Sequence, residues 1–394
     1  MKRLALTFLL LCSVASAQTS PFLPEDTYQK LVNEISGDNA YDHLRDLTKF
    51  HSPQGVDRDA RRIEQYLLEK VKETGLVDVK YITMPSKDVP WSPISGEAWL
   101  IETLQDGKTR ETKLGSYKEV ATVIADNSRP VDTEAELVDV GTGLTEAEYT
   151  GKDVRGKIVL ASGAPATVEK LAVWKHGALG ILSHTTSRVF AMDYPDQIAW
   201  ARVNSKADPE TKKERGWAFV ISPRRGHEIA QKLKGAGLQG PGMGGVVSTA
   251  TAARFKVRVR IESEILPEST QAIIEGWIRG KSIHNQQVVL TAHIQEERFS
   301  ANDDRSGCAN LLEMARALTA LIKQGKLPQP ERDIRFWWVN EIDGPYTYFA
   351  LNPEDQEHLR EHQPGHGGHQ PEDGAPFARA ARDSHSLVAS HVLQ

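Results

Sequence analysis

The sequence predicts an α/β protein with a mainly parallel sheet that carries helices on both faces. Three observations support this fold class. Residues 272–278, 288–292 and 334–339 are short apolar runs with the length and composition of buried strands. A helical pattern at residues 306–323 separates the last two runs. Strands that alternate with long helices imply a parallel sheet, because each helix returns the chain to the same edge.

The overall composition limits the possible partners. The chain has 394 residues and a formal net charge of −5, with acidic and basic residues interspersed. A chain of this length is expected to form two domains, each with its own apolar core. No basic footprint for nucleic acid or for an anionic membrane is present, so neither is expected as a partner.

The first residues have the pattern of a secretory signal. A basic pair precedes an apolar stretch at residues 4–14, and small residues follow at positions 15–17. We expect cleavage near Ala17 and a mature chain that is secreted or periplasmic. No other stretch approaches the roughly 20 apolar residues of a membrane-spanning helix. Cys308 is then the single cysteine of the mature chain, so no intrachain disulfide can form.

Two further regions follow from the hydrophobic pattern. Residues 26–76 are predicted to be helical with a break at Pro53, and a strand is predicted at residues 77–82. Residues 131–253 have a β-α-β rhythm with glycines between short runs, which is typical of a separate small domain. Its predicted elements are strands at 137–140, 156–160, 178–182 and 218–221 and a helix at 168–176. Residues 255–261 alternate apolar and basic side chains and predict a strand with one solvated face.

Polar side chains follow two of the predicted strands and precede a predicted helix. His293 follows one strand and Glu341 follows the other, while Asp303 and Asp304 lie just before the helix. Taken singly, each has a structural explanation, as a hydrogen-bonded histidine, a helix cap or a solvated glutamate. Together they lie where ligands bind in such sheets, beyond the carboxyl ends of the strands. Imidazole and carboxylate are zinc ligands, and Glu341 could accept the proton of a metal-bound water.

The motifs around these residues resemble those of the zinc-dependent exopeptidase family that includes bacterial aminopeptidases and plasma glutamate carboxypeptidase. Three strings carry the resemblance: residues 293–295 (His-Ile-Gln), residues 301–307 (Ala-Asn-Asp-Asp-Arg-Ser-Gly) and residues 336–344. The resemblance covers nearly all of the mature chain up to about residue 358. It implies the zinc exopeptidase fold and one or two bound zinc ions.

The resemblance also implies a role for each polar residue. His293 would be a zinc ligand, and Asp303 would bridge two zinc ions. Asp304 would shape the backbone beside Asp303. Glu341 would be the general base of the reaction.

A domain organisation follows from the same resemblance. A signal peptide at residues 1–17 would precede an exopeptidase domain made of residues 18–130 and 254–360. Residues 131–253 would form an insert that resembles a protease-associated domain. Residues 361–394 would form an aberrant or disordered tail.

Two positions depart from the family pattern. Gln295 replaces the aspartate that orients the imidazole, so it can hydrogen-bond but adds no negative charge. Ile342 replaces the second glutamate of a Glu-Glu pair and cannot bind metal. Either Glu341 turns towards a zinc ion, or the site holds a single ion.

The tail lacks the strand reading Leu-Asp-Met-Val-Gly that the family has next, which carries an aspartate ligand. Residues 361–373 are instead polar and rich in histidine, without a helix or strand period. With suitable synonymous codons, residues 361–368 read one nucleotide later give Asn-Ile-Asn-Leu-Asp-Met-Val-Gly. We therefore expect a shifted reading frame near Leu359.

The implied function is hydrolysis of a terminal bond in a peptide or amino-acid conjugate. The chain as written is expected to be inactive, because ligands beyond the shifted point are missing. Two alternatives stay open. One is a single-zinc acyltransferase like the glutaminyl cyclases, which share this fold, and Ile342 favours this one-metal reading. The other is a non-catalytic binding ectodomain of the transferrin-receptor kind, which keeps the fold without metal.

Overall fold

The computed structural model describes residues 23–53, 57–87, 90–104, 106–186, 193–237, 254–266 and 269–355. The predicted signal sequence and the predicted aberrant tail lie outside the described residues, so both stay predictions. No helix in the described part of the chain is long and apolar enough to cross a membrane.

The described residues form seven α-helices and eleven strands, numbered in chain order. The helices are α1 (Glu25–Glu34), α2 (Gly37–Leu47), α3 (Asp57–Glu73), α4 (Pro165–Glu169), α5 (Pro223–Gly237), α6 (Gly307–Lys323) and α7 (Asp343–Leu351). The strands are β1 (Val77–Pro85), β2 (Trp91–Thr103), β3 (Thr109–Ser116), β4 (Val131–Asp139), β5 (Ile158–Ala161), β6 (Gly180–Ser183), β7 (Ala218–Val220), β8 (Arg254–Ile265), β9 (Thr270–Ile278), β10 (Ile283–His293) and β11 (Arg332–Val339). The predicted helix at residues 168–176 is found as α4 continued by a π-helical turn at Lys170–Lys175.

A four-stranded sheet with the order β1-β9-β11-β10 is the centre of the first lobe. Strands β10 and β11 are parallel, whereas β9 pairs antiparallel with both β11 and β1. The predicted α/β class is confirmed, but this sheet is mixed rather than mainly parallel. Within the described residues, parallel pairing in this sheet is confined to β10 and β11, the two strands that end at the predicted site.

Helices cover both faces of the four-stranded sheet. On one face, apolar residues of α2, α3 and α6 pack against Phe336 and Trp338 of β11. On the other face, Tyr348 and Phe349 of α7 pack edge-on against Trp337, with ring centroids 5.1 and 5.8 Å apart. Successive residues of a strand point to opposite faces, so an apolar strand can serve both layers.

Residues 334–339 are expected to be an apolar run, but strand β11 contains Arg335 and is not apolar throughout. This side chain is buried and its Nε donates to Glu275 Oε2 of β9 at 2.9 Å. Its Nη2 donates to the hydroxyl of Tyr348 at 2.9 Å, which ties α7 to the sheet. The guanidinium also lies 4.5 Å from the ring centroid of Trp337 and 5.0 Å from that of Trp277. A buried charge needs such partners, and these aromatic rings help to screen it.

The second lobe is a seven-stranded sheet with the order β3-β2-β8-β4-β5-β6-β7. Its β4, β5, β6 and β7 are mutually parallel, as the β-α-β rhythm of residues 131–253 predicts. Strand β8 shows the predicted alternation, since Val257, Val259 and Ile261 are buried while the residues between them are more exposed.

The predicted domain boundaries at residues 130 and 254 cut through this sheet. Strand β8 pairs antiparallel with β4 over Val131–Glu136 and with β2 along its whole length. Strands β2, β3 and β8 therefore share a core with the predicted insert rather than with β9 to β11. The reason is that alternation along β8 predicts a strand and a buried face but does not identify its neighbours. The likeness of residues 131–253 to a protease-associated domain stays a prediction.

One buried carboxyl group of the second lobe is that of Asp126, which lies just before β4. Its backbone pairs with that of Ala201 and Val203, and its Oδ2 accepts a hydrogen bond from Trp200 Nε1 at 2.8 Å. Burial raises the pKa of Asp126 to about 8, against the opposing effect of the Trp200 hydrogen bond, and the negative charge of Glu297 acts in the same direction as burial. Asp126 is therefore a neutral acid in the folded protein at neutral pH.

We expect Asp126→Asn to stabilise the protein increasingly as pH rises from about 4 to about 8. In that window wild-type Asp126 ionises in the unfolded chain, above its ordinary pKa of 3.8, but stays protonated when folded. This difference lowers the free energy of unfolding by a few kcal/mol at the upper end. Urea unfolding of wild type and variant between pH 4 and 9 measures it, and exposed Asp132→Asn is the control. An equal effect of Asp126→Asn at all pH values would contradict this assignment.

Candidate metal centre

The predicted site residues lie at the carboxyl ends of the parallel pair β10 and β11. His293 is the last residue of β10 and is paired in register with Val339, the last residue of β11. Glu341 follows β11 by two residues, and Asp303 lies in the turn at Asn302–Ser306 that leads into α6. The structure therefore brings together residues that the sequence places at neighbouring strand ends.

His293 is the most buried of these residues, with 6% of its surface exposed. Its Nε2 lies 3.0 Å from Asp303 Oδ1, and its Nδ1 lies 3.1 Å from the carbonyl oxygen of Gln295. Burial lowers the pKa of His293, but the hydrogen bond to Asp303 and the charges of Asp304 and Glu341 outweigh this, so its pKa is raised. These negatively charged neighbours favour positive charge at the imidazole, either a proton or a metal ion.

Glu296 is a candidate ligand that the sequence analysis missed. One ligand atom each from His293, Glu296 and Asp303 lies within 4.8 Å of the others, and this is the one such group among the described residues. Burial raises the pKa of Glu296 well above its ordinary value, and its hydrogen bond and repulsion with Glu297 act in the same direction. One imidazole and two carboxylates are a donor set that fits zinc. The available sequence signal was the acidic pair three residues after His293.

Gln295 contacts His293 through its backbone. Its backbone carbonyl, not its side chain, contacts the imidazole of His293. Both polar atoms of the Gln295 amide are buried without a hydrogen-bond partner in the described part of the chain. The orienting contact that supports a metal-bound histidine is thus supplied by the backbone.

Asp304 lies on the backbone side of the site, and a cis peptide bond joins it to Asp303. Its Oδ2 accepts a hydrogen bond from the backbone N–H of His293 at 2.8 Å. A Cβ atom on Gly307 would lie 2.1 Å from Asp304 Oδ1, so a larger residue at this first position of α6 would displace the Asp304 carboxylate. Next along the helix, the buried thiol of Cys308 donates to the carbonyl oxygen of His293 at 3.0 Å, and burial raises its pKa.

Glu341 and Ile342 form the other side of the site. Glu341 is half-buried and lies outside the three-residue group, although its charge acts on His293. Ile342 is 64% exposed and has a φ of +56°, which is unfavourable for a β-branched residue. The predicted roles of His293, Asp303, Asp304, Gln295 and Glu341 stay predictions.

A single buried arginine holds the loop of the site in place. Arg305 is fully buried, and its Nη1 donates to the carbonyl oxygen of Ile294. Its Nη2 donates to the hydroxyl of Ser52 at 3.0 Å and to the carbonyl oxygens of Glu296 and Phe50 at 2.9 and 3.4 Å. The guanidinium thus joins the start of α6 to the loop after β10 and to the segment after α2.

We expect Arg305→Met to lower the free energy of unfolding by about 3 kcal/mol or more, because it leaves several buried oxygens without a donor. Arg62→Met is the matched control, since Arg62 is mostly exposed and pairs with Asp59 at 2.8 Å. An exposed pair of this kind contributes about 0–1 kcal/mol. Urea unfolding of the two variants measures the difference. Equal losses of unfolding free energy in the two variants would show that the buried hydrogen bonds of Arg305 do not stabilise the fold more than an exposed ion pair does.

Comparison with known proteins shows a similarity over the segment that contains the candidate site. Residues 274–341 match the family model described as Peptidase family M28. No curated protein matches the chain. The matched segment includes His293, Glu296, Asp303 and Glu341, that is, every residue of the candidate site that could bind metal or act as a base.

The chain also has similarities to solved structures, of which the first described here supports a likeness of fold. The chain is similar to a Peptidase M28 precursor from Shewanella amazonensis SB2B, with a TM-score of 0.55 and 16% identity over 85% of this chain and 71% of that one. It also aligns with an aminopeptidase from Aneurinibacillus sp. strain AM-1 (TM-score 0.45, 18% identity, 83% of this chain and 68% of that one). A zinc aminopeptidase from Bacillus subtilis aligns with a TM-score of 0.45 and 18% identity over 78% of this chain and 62% of that one. The predicted resemblance to peptidase family M28 is confirmed over residues 274–341, and the similarity to the Shewanella structure supports the predicted fold.

Proposed function

We propose that this chain is an exported zinc peptidase that hydrolyses a terminal bond of a peptide or amino-acid conjugate. The observation that carries the proposal is the group formed by His293, Glu296 and Asp303 at the ends of β10 and β11. These three residues would hold the metal. When bound, zinc supplies Lewis acidity and a water of lowered pKa.

The chain's own residues supply the remaining parts of the reaction. Asp304 and the carbonyl of Gln295 orient His293 from two sides. Glu341 is a carboxylate at the rim of the same site, and it would accept the proton of the attacking water and return it to the leaving amine. The exposed face of Asp303 leaves the site open to a substrate terminus.

Glu296 changes the expected number of metal ions. Two protein ligands, His293 and Asp303, are too few for a catalytic zinc site, which normally has about three and a water. Glu296 brings the count to three, which suits one ion. The exposed Ile342 in place of a second glutamate favours the same one-metal site. Inactivity of the chain as written and the shifted frame after Leu359 stay predictions.

We expect His293→Ala to weaken zinc binding by at least about 100-fold. Loss of an outer-shell contact already costs about 10–100-fold, and this change removes a ligand outright. His284→Ala is the control, because His284 lies at the far end of the same strand and its ring contacts Asp333. Competition with a chelator measures the affinities of the two variants and the wild type. Equal affinity of His293→Ala and wild type would exclude His293 as a ligand.

We expect hydrolysis of aminoacyl and dipeptide substrates from a version of the chain that reads Leu-Asp-Met-Val-Gly after Leu359. Glu341→Gln in that version should abolish turnover and leave zinc bound, since an amide cannot accept the proton. The chain as written, assayed in parallel with added zinc, should be far less active. Turnover that survives Glu341→Gln would remove Glu341 from the mechanism.

The cyclase alternative has a specific observation in its favour, the one-metal site beside Ile342. Cyclisation of peptides with N-terminal glutamine by the same preparations would separate it from the peptidase. A folded protein with no zinc affinity at all would instead favour the non-catalytic ectodomain.

A further inference from the structure

The loop that carries Glu296 bridges the two lobes of the molecule. On the side of the first lobe, Glu296 and Ser52 exchange backbone hydrogen bonds of 3.1 and 2.9 Å. The N–H of Phe299 donates to the carbonyl oxygen of Thr48 at 2.8 Å. Between Glu296 and Phe299, the side chain of Arg298 contacts the second lobe.

Arg298 makes a set of contacts with Tyr117 and its neighbours. Its Nη2 donates to the carbonyl oxygen of Tyr117 at 2.5 Å and to that of Lys118 at 3.2 Å. Its guanidinium lies 5.3 Å from the ring centroid of Tyr117, within the range of a cation–π contact. We call Arg298, Tyr117 and His51 the latch.

His51 completes the latch from the first lobe. Its ring meets that of Tyr117 edge-on, with centroids 5.7 Å apart and an angle of 82°. The backbone N–H of Arg298 donates to His51 Nδ1 at 3.3 Å. Burial, together with the positive charges of Arg298 and Arg305, lowers the pKa of His51 to about 3, so Nδ1 stays an acceptor.

Tyr117 is held in place by contacts within the second lobe. Its N–H donates to the carbonyl oxygen of Gly96 in β2 at 2.8 Å. Its side chain packs against the core cluster that includes Trp91, Phe219 and Val257. A residue 181 positions away in sequence is thus connected to the loop of the metal centre.

We propose that Arg298 is a positioning residue through which the second lobe holds Glu296 in place as a metal ligand. The proposal rests on the proposed function for the identity of the ligand group. Arg305 fixes Glu296 from the first lobe and Arg298 fixes the same loop from the second. A carboxylate in a loop needs such support, because without it the ligand must be ordered each time that metal binds.

The test compares Arg298→Ala with Arg258→Ala and with wild type. Arg258 is a matched control in the second lobe, where it lies 5.5 Å from the ring centroid of Trp99 and pairs with Glu111. Zinc affinity is measured by chelator competition, and amide hydrogen exchange is measured in the metal-free chain. Arg298→Ala should weaken zinc binding about 10–100-fold and speed exchange at the amides of Glu296 and Phe299. Arg258→Ala should change neither.

Two further variants keep the test decisive. Arg298→Lys retains the charge and one donor group and should recover part of the affinity. Should Arg298→Ala fail to fold, Tyr117→Phe keeps the ring and the core packing, while Tyr117→Ala removes the ring that contacts Arg298 and His51 and should speed the same two amides. Unchanged exchange and affinity in a folded Arg298→Ala would overturn the proposal. A version of the chain that reads Leu-Asp-Met-Val-Gly after Leu359 and binds zinc but hydrolyses nothing would overturn the proposed function and leave the role of Arg298 standing.

Discussion

A buried guanidinium is the contact on which the candidate site depends. Removing a cation from water costs several kcal/mol, and Arg305 offsets this cost with hydrogen bonds to three carbonyl oxygens and one hydroxyl. Its acceptors lie on the segment after α2 and on the loop after β10, while Arg305 itself stands at the start of α6. These three segments therefore cannot move independently. The geometry of His293, Glu296 and Asp303 follows from that restriction.

The sequence was sufficient for the residues whose position follows from local pattern. Apolar runs and helical spacing give the α/β class, and strand ends give His293 and Glu341. Asp303 is recognisable because it precedes a strongly periodic helix. In each case the signal lies within a few residues of the side chain, so no knowledge of tertiary contacts is needed.

The features that sequence reasoning missed depend on contacts between distant segments. Glu296 lies in a loop without periodicity, and it reaches the site because Ser52 and Arg305 hold its backbone. Arg335 looks out of place in an apolar strand until its partner Glu275 is seen on the neighbouring strand. The pairing of β8 with β2 and β4 across the predicted boundaries is likewise invisible in the sequence of β8 alone.

The thiol of Cys308 can report on local opening of the structure beside His293. It is completely buried and donates to the carbonyl oxygen of His293, so it seals the contact between α6 and the end of β10. A thiol reagent in the solvent can reach it only when that contact separates. The rate of slow labelling at Cys308 would therefore measure how often the contact between α6 and the end of β10 opens. A global melting curve does not report such local opening, whereas the labelling rate of this one thiol would.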